Sequence, residues 1–562
     1  MIIKILEEII NKVFKENGYM EQISIIKSNR SDLGDYQCND IFKIAKLYHK
    51  NPLEIGEEIV AKINNLTFFK DYFKEVTFIK PGFINIIISD NLINELLNKM
   101  LKDDHFNLEK VTKKELYFLD YGGPNIAKPL HVGHLRTAII GEAIKRIIKF
   151  KGHDVISDVH LGDYGLQIGE VIYGLLNDKV TDITLDYLTE IYPKMNKLCK
   201  EDDNVLKACS QITKELQEGN ITYQNLWKKI CEVSIKDIKR MYNYLGVSFD
   251  LWQGESDSYK YIEPLTKILE AKNLLKESEN AKIIEVKLAT DTKEMPPLIY
   301  QKSNGAYLYG TTDLATIYER FTKYHPDHIL YVVDARQSLH FEQVFRVCSK
   351  CGIDINLEHL GYGTVNGSDG KPFKTRSGDT IKLDDLFKQV KEIFINTKAT
   401  NKDMNNQDLD IIVNAIIKFA DLQNNREKDY IFDPLKFSNV VGKTGPYILY
   451  TYLRINKILK SENLTIEQLN TTIYNNNDRD LRIKLLELSL SIDSAFKEKR
   501  PNYIAEYIYD ICVLNNIFYQ TNHINNLEDL AKKQQWLLLL TLSNKLLKEL
   551  LNLLMIEIPS QM

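Results

Sequence analysis

The chain lacks a disulfide framework. Its seven cysteines (Cys38, Cys199, Cys209, Cys231, Cys348, Cys351 and Cys512) are an odd number scattered over 562 residues. That excludes a small cystine-stapled scaffold and fits a reducing, cytoplasmic setting. The lone pair Cys348 and Cys351 has neither a second pair for zinc nor a thioredoxin-like context, so it reads as incidental. Long apolar runs are also missing. The most apolar stretch, 536–558, is broken by Lys545, Lys548 and Glu549, whereas a membrane span takes about 20 predominantly apolar residues. A buried helix is expected there, and no membrane partner. The first residues, "MIIKILEEIINKVFKENGY", carry Glu7 and Glu8 within an amphipathic pattern, which is not the charged-then-apolar pattern of an export signal. Finally, basic charge is not in excess: 73 Lys and Arg stand against 77 Asp and Glu, a net charge of -4. A whole-chain nucleic-acid footprint is excluded, so any RNA contact must be local.

What is present is the composition of an ordinary folded chain, and its length predicts two to four domains. Residues 1–110 read as an α+β module, with a helical stretch closed by Pro52 and strand-like alternation around the turn Pro81-Gly82. A polar stretch separates it from a change of style at Leu116. There the order becomes strand, Pro/Gly loop, helix (135–150), Gly152 and strand, a βαβ unit. In that helix Ile140, Ile144, Ile147 and Ile148 mark one buried face, with Lys145, Arg146 and Lys149 expected to face elsewhere. Helical patterns dominate about 170–280, and strand-like runs return at 328–335 and 358–365. The expectation is an α/β chain: a parallel-sheet domain over 115–390 with a helical insertion at about 170–280, a helical connecting region over 391–440, and an all-α helical bundle over 441–562.

The stretch "PNIAKPLHVGH", 124–134, carries the chemistry. A loop from the C-terminal end of a parallel strand into a helix N-terminus is where open α/β sheets bind ligands, and the free N–H groups and dipole there favour phosphate. His131 and His134 share one face of the first turn, so both imidazoles can donate to one phosphate chain. Gly133 removes a side chain where a flat base could approach the backbone. Metal binding fits poorly, because zinc motifs of this kind need histidines four apart and no third ligand sits at a familiar spacing.

The longer string "DYGGPNIAKPLHVGHLRTAIIGEAIKR" resembles the signature region of class I aminoacyl-tRNA synthetases, and "PNIAKPLHVGHLR" is similar in detail to the arginyl-tRNA synthetases. The resemblance continues in order through "GDYQCN", "HLGDYGLQIG", "YLYGTTDLA", "YVVDARQSLHFEQVF", "GKPFKTRSG" and "GKTGPYILYTYLRI". It implies a Rossmann-type catalytic domain that joins L-arginine to ATP as an adenylate. The arginyl group then passes to tRNA(Arg), first to the 2'-hydroxyl of the terminal ribose. No protein nucleophile is required, so positioning and charge neutralisation carry the catalysis.

By the same resemblance His131, Gly133 and His134 hold ATP, and Lys374 and Arg376 lie on a phosphate-binding loop. That loop departs from the usual pattern in its last lysine, and Lys128 occupies the place of a compensating lysine; the plain alternative is a solvated loop charge. Asp120, Tyr309, Asp313 and Gln337 are implied around the substrate guanidinium, and Asn125 at its α-amino or carboxylate end. Alternatively, Asp313 is an N-cap of the following helix. Tyr164 or Gln167 shapes the pocket or packs beside it. RNA contacts are implied at Asn39 and Phe83 in the N-terminal module and at Tyr447, Tyr450 and Arg454 in the helical one, within a run 418–460 that holds eight Lys or Arg and four Asp or Glu. Magnesium is expected with ATP, held by phosphate and water rather than by protein ligands, and a monomer is expected. The rivals are another nucleotidyl-transferring enzyme lacking an anticodon domain, and a non-catalytic RNA-binding relative.

Overall fold

Four parallel strands form the sheet that carries the predicted site, in the order Asn356–His359, His328–Val332, Leu116–Tyr121, Asp154–Asp158. The computed structural model describes residues 2–30, 32–303, 305–367, 369–372, 381–397 and 404–562. These divide into two compact units. One comprises Val111–Leu449, Ser494–Ala505 and Leu551–Met562; the other comprises Met1–Lys110, Tyr450–Asp493 and Glu506–Leu550.

In the first unit the apolar run "LYFLDY" makes an inner strand, its last five residues buried, as a parallel strand covered on both faces must be. The crossover helix Val132–Lys151 links it to Asp154–Asp158 and stops at Gly152, whose φ of 99° only glycine adopts without strain. Ile140, Ile144, Ile147 and Ile148 are buried as expected, but Lys145 is not on a solvated face. It is 4% exposed, pairs with Glu142 at 2.6 Å, and donates to the Ser248 hydroxyl at 3.0 Å. The helix is enclosed nearly all round, and a carboxylate one turn earlier lets the ammonium follow it inside.

Helices Leu166–Asn177, Leu185–Glu201, Asp203–Gln217, Ile221–Tyr244 and Glu255–Ala271 form the insertion. It ends in a three-stranded antiparallel sheet, Leu275–Ser278, Ala281–Ile284 and Leu298–Gln301, where a helical pattern had been expected up to about 280. Strands of four residues are too short to establish a period in the sequence. Cys348 and Cys351 are buried in the helix Ser338–Cys351, and burial pushes the Cys351 thiol up to about 11, in keeping with an inert pair. The basic run 418–460 is less basic on its surface than its count implies. Lys418 is 2% exposed and donates to the Met555 carbonyl at 2.8 Å, and Arg426 is buried as well.

In the second unit the N-terminal residues form an antiparallel sheet ordered Ile25–Lys27, Tyr36–Cys38, Phe83–Ile88, Phe73–Ile79, with Ile79 paired to Phe83 across the predicted Pro81-Gly82 turn. Pro52 stands at the first position of the helix Pro52–Asn64, capped by Asn51, so it opens this helix instead of closing the one before. Arg479 forks onto Asp35 at 2.9 and 2.8 Å, and Lys545 reaches Asp104 at 2.9 Å. That last contact shows how the helix Leu530–Leu553 accommodates Lys545 while its leucines from Leu537 onward are buried. Among the described residues no helix is long and apolar enough to cross a membrane.

Candidate active site

The two histidines cap the helix that follows them. His131 is the N-cap of Val132–Lys151, and its Nδ1 accepts the Gly133 N–H at 3.0 Å. His134 Nδ1 accepts the His131 N–H at 3.2 Å, and the rings lie 3.9 Å apart. Both δ nitrogens are therefore acceptors, and a neutral imidazole in that role carries its proton on Nε2. Burial, then Lys128, lowers the His131 pKa; burial, His131 and Lys128 push His134 well below its usual range. The corner thus offers two neutral N–H donors beside a helix N-terminus. At Gly133 a Cβ would lie 2.8 Å from the His131 ring, so its absence also seats the histidine. Lys128 is half-buried, not a solvated charge, with its ammonium 3.9 Å above the Tyr192 ring. Lys374 and Arg376 lie outside the described residues. The chain re-enters them at Ile381, whose carbonyl accepts from Val132 N at 3.0 Å, and Leu383 N donates to Leu130 O at 3.0 Å.

Carboxyl groups dominate the other half. Tyr309 opens the helix Tyr309–Tyr324 and is 61% exposed; Asp313 follows one turn later, its Oδ2 2.5 Å from His340 Nε2. Leu308 is the N-cap, so Asp313 stands inside the helix and does not cap it. Glu255, which the sequence reading passed over, begins the helix Glu255–Ala271. Burial pushes its carboxyl up to about 7, with Asp313 and Asp163 adding to the shift and His160 opposing it. No hydrogen bond or ion pair reaches that carboxylate among the described residues. Tyr309 is close enough to feel both Glu255 and Asp313, and Tyr192 as well. Asp163 takes the Ser256 N–H at 3.0 Å and its hydroxyl at 2.7 Å; a Cβ on Gly254 would strike this carboxylate at 2.6 Å, which explains that glycine.

Asp120 has a partner within the protein. It accepts from Arg320 at 2.7 Å, and Arg320 also donates to Asp158 at 2.9 Å, all three buried. The Asp120 Oδ2 is thus already paired with an internal guanidinium. Beside it Asp158 and Asp120 outweigh burial and raise His160 to about 9. Asn125 bridges to Gly162, which has no Cβ because the Asn125 side-chain oxygen would lie 2.0 Å from it. Gln337 is exposed at the end of the turn Ala335–Gln337. Tyr164 packs edge-on against Trp227 and Tyr259, and Gln167 donates to the Gly162 carbonyl at 3.1 Å, so both support the loop from behind. Among the described residues no group of three or more His, Cys, Asp or Glu could hold a metal ion.

The expected RNA contacts are separate from this site in the sequence. Asn39 is exposed, and Phe83 meets Phe42 edge-on at 6.3 Å. Tyr447, Tyr450 and Arg454 stand on successive turns of Gly445–Ser461; Tyr450 is exposed, and the Arg454 guanidinium lies 4.1 Å over the Tyr519 ring.

Comparison with known proteins agrees along the whole chain. Residues 95–434 match the family described as "tRNA synthetases class I (R), catalytic domain", residues 1–88 the "Arginyl tRNA synthetase N terminal domain", and residues 448–562 the "DALR anticodon binding domain". The arginine-tRNA ligases of Alkaliphilus oremlandii and Agathobacter rectalis are 40% and 39% identical, each covering 100% of both chains. The arginyl-tRNA synthetase structure from Plasmodium falciparum superposes with a TM-score of 0.82 at 28% identity, covering 100% of this chain and 99% of its own. That from Thermus thermophilus shares the fold, with a TM-score of 0.83 at 20% identity over 100% of both chains. With the histidine corner, the carboxylate pocket and all three matched regions in one sequence, the chain belongs to the class I arginyl-tRNA synthetase family and is an arginine-tRNA ligase.

Proposed function

We propose that the histidine corner and the carboxylate pocket are the two halves of one activation site, with ATP phosphates in the first and arginine in the second. The carrying observation is the Glu255 carboxyl, which has no partner among the described residues, stands near Asp313 and Tyr309 and is pushed up to about 7. A partly buried acid without a counter-charge among the described residues loses hydration without compensation, and a planar cation that forks onto two carboxylates compensates for it. Glu255 and Asp313 bind the guanidinium, with Tyr309 closing over it. Asp120 supports them indirectly through Arg320 and Asp158. Gln337 lies on the guanidinium side, and Asn125 holds the amino-acid end.

The arginine carboxylate then attacks the α-phosphate in line. One P–O bond forms to the carboxylate, one breaks to pyrophosphate, and arginyl adenylate results. His131 and His134 donate Nε2–H to phosphate oxygens. Because both are neutral in the free protein, they stabilise charge that grows in the transition state without already being paired to another anion. Lys128 supplies the positive charge, together with Lys374 and Arg376. Magnesium bound with ATP would be held by phosphate and water rather than by protein ligands and would supply further neutralisation there. The 2'-hydroxyl of the terminal ribose of tRNA(Arg) receives the arginyl group first, in keeping with class I chemistry. Residues 1–110, with Asn39 and Phe83, and residues 441–562, with Tyr447, Tyr450 and Arg454, serve the tRNA. Residues 115–390 perform the chemistry and 391–440 connect. The enzyme acts as a cytoplasmic monomer.

The test is ATP-pyrophosphate exchange with arginine, lysine and cysteine in turn, with and without tRNA. Exchange with arginine alone is expected. Exchange with lysine at a comparable rate would overturn the pocket assignment.

A further inference from the structure

The loop that carries Lys128 has an unusual backbone. Ala127 sits at a φ of 63°, a left-handed conformation that disfavours any residue with a Cβ. It is 1% exposed, so water cannot satisfy its N–H, which instead donates to the Ser234 hydroxyl at 2.9 Å. Ser234 is 1% exposed and donates in turn to Ile230 O at 2.8 Å within its own helix, which fixes the orientation of the oxygen. The preceding N–H, of Ile126, donates to Gly162 O at 3.1 Å. The following residue, Lys128, precedes Pro129 and is confined to extended backbone. The direction in which Lys128 leaves the loop is thus set by one strained residue held by one side-chain oxygen.

That oxygen belongs to a helix which touches the site repeatedly. On Ile221–Tyr244, Trp227 donates to the Asp163 carbonyl at 2.8 Å and Tyr242 donates to the Gly122 carbonyl. With Ser234 they recur at two-turn spacing along one face. Arg240 forks onto Asp384 at 3.1 and 2.7 Å, just after the chain re-enters the described residues.

We propose that Ser234 is a positioning residue for Lys128: its hydroxyl holds the left-handed turn at Ala127 from which Lys128 reaches the phosphates. This rests on the assignment of Lys128 to the phosphates made above. The ammonium ends 3.9 Å over Tyr192, so a shift of the turn displaces it from both its ring and its ligand.

The experiment is a double-mutant cycle on the full-length enzyme, reading arginine-dependent ATP-pyrophosphate exchange in the presence of tRNA(Arg), with the folded fraction checked by circular dichroism. Ser234→Ala is expected to lower kcat about ten-fold while leaving KM for arginine within about two-fold. In a Lys128→Ala background it is expected to cause no further loss, because the group it positions is gone. Ser234→Cys, with a weaker acceptor of similar size, should fall between. Equal loss in both backgrounds, or no loss in the parent, overturns the proposal and leaves Lys128 in its role. Lys128→Ala at the full rate overturns the Lys128 assignment and this inference with it.

Discussion

The two halves of the site meet their ligands with opposite preparations. The histidine corner awaits an anion, yet its imidazoles are kept neutral: burial and Lys128 lower both pKa values, His131 lowers that of His134 further, and their δ nitrogens are committed to backbone N–H groups. The carboxylate pocket awaits a cation and carries acid in excess. Asp120, Asp158, Asp163, Glu255 and Asp313 outnumber Arg320 and the raised His160. The difference follows from what each ligand asks. The departing pyrophosphate gains further charge as the reaction proceeds, so preorganised dipoles serve it best. Guanidinium is a fixed charge that must be told from other cations, so paired carboxylates in fixed geometry serve it best.

Breaking the first half should cost most. His134→Ala removes a phosphate donor and the acceptor that orders His131, and is expected to lower kcat for adenylate formation about 10²–10³-fold with little change in KM for arginine. The second half should fail in the opposite parameter. Asp313→Asn is expected to raise KM for arginine about 100-fold by leaving a buried guanidinium without its charged partner. A pH series sharpens the contrast. Glu255 ionises at about 7 in the free protein; below that it is protonated and cannot pair with a cation, above it the carboxylate is present. KM for arginine should therefore rise about ten-fold between pH 8 and pH 6, and Glu255→Gln should flatten that dependence. The smallest effect is expected far from both halves in the sequence: Arg454→Ala should raise KM for tRNA about three-fold while leaving exchange unchanged, since it removes one stacked guanidinium.

The same two halves differ in how legible they were. His131, His134 and Lys128 lie within eight residues of one another, and the loop-to-helix pattern announces a phosphate site to anyone reading along the chain. The carboxylate pocket is assembled from residues 163, 255, 309 and 313, brought together only by the sheet and the insertion. Tyr309 and Asp313 could be named because they share a motif, whereas Glu255 sits in "GESDSY" with no local pattern to mark it. Asp120 could be named as an acid at a strand end, but its partner Arg320 is two hundred residues away. Nothing short of the fold pairs them. The misplaced Lys145 and Lys418 share one cause: a lysine reads as surface until a carboxylate or a carbonyl is found waiting inside. The small sheet over 275–301 was missed because its strands carry too few residues to show alternation.

The most direct test asks whether the charge of the pocket, rather than its shape, selects the substrate. ATP-pyrophosphate exchange should be measured with arginine and with citrulline, its neutral isostere, in the parent enzyme and in Glu255→Gln. The parent should strongly prefer arginine, and the substitution should shrink the ratio of kcat/KM values by about 30-fold or more, as loss of a desolvated charge partner requires. An unchanged ratio in Glu255→Gln would contradict the account.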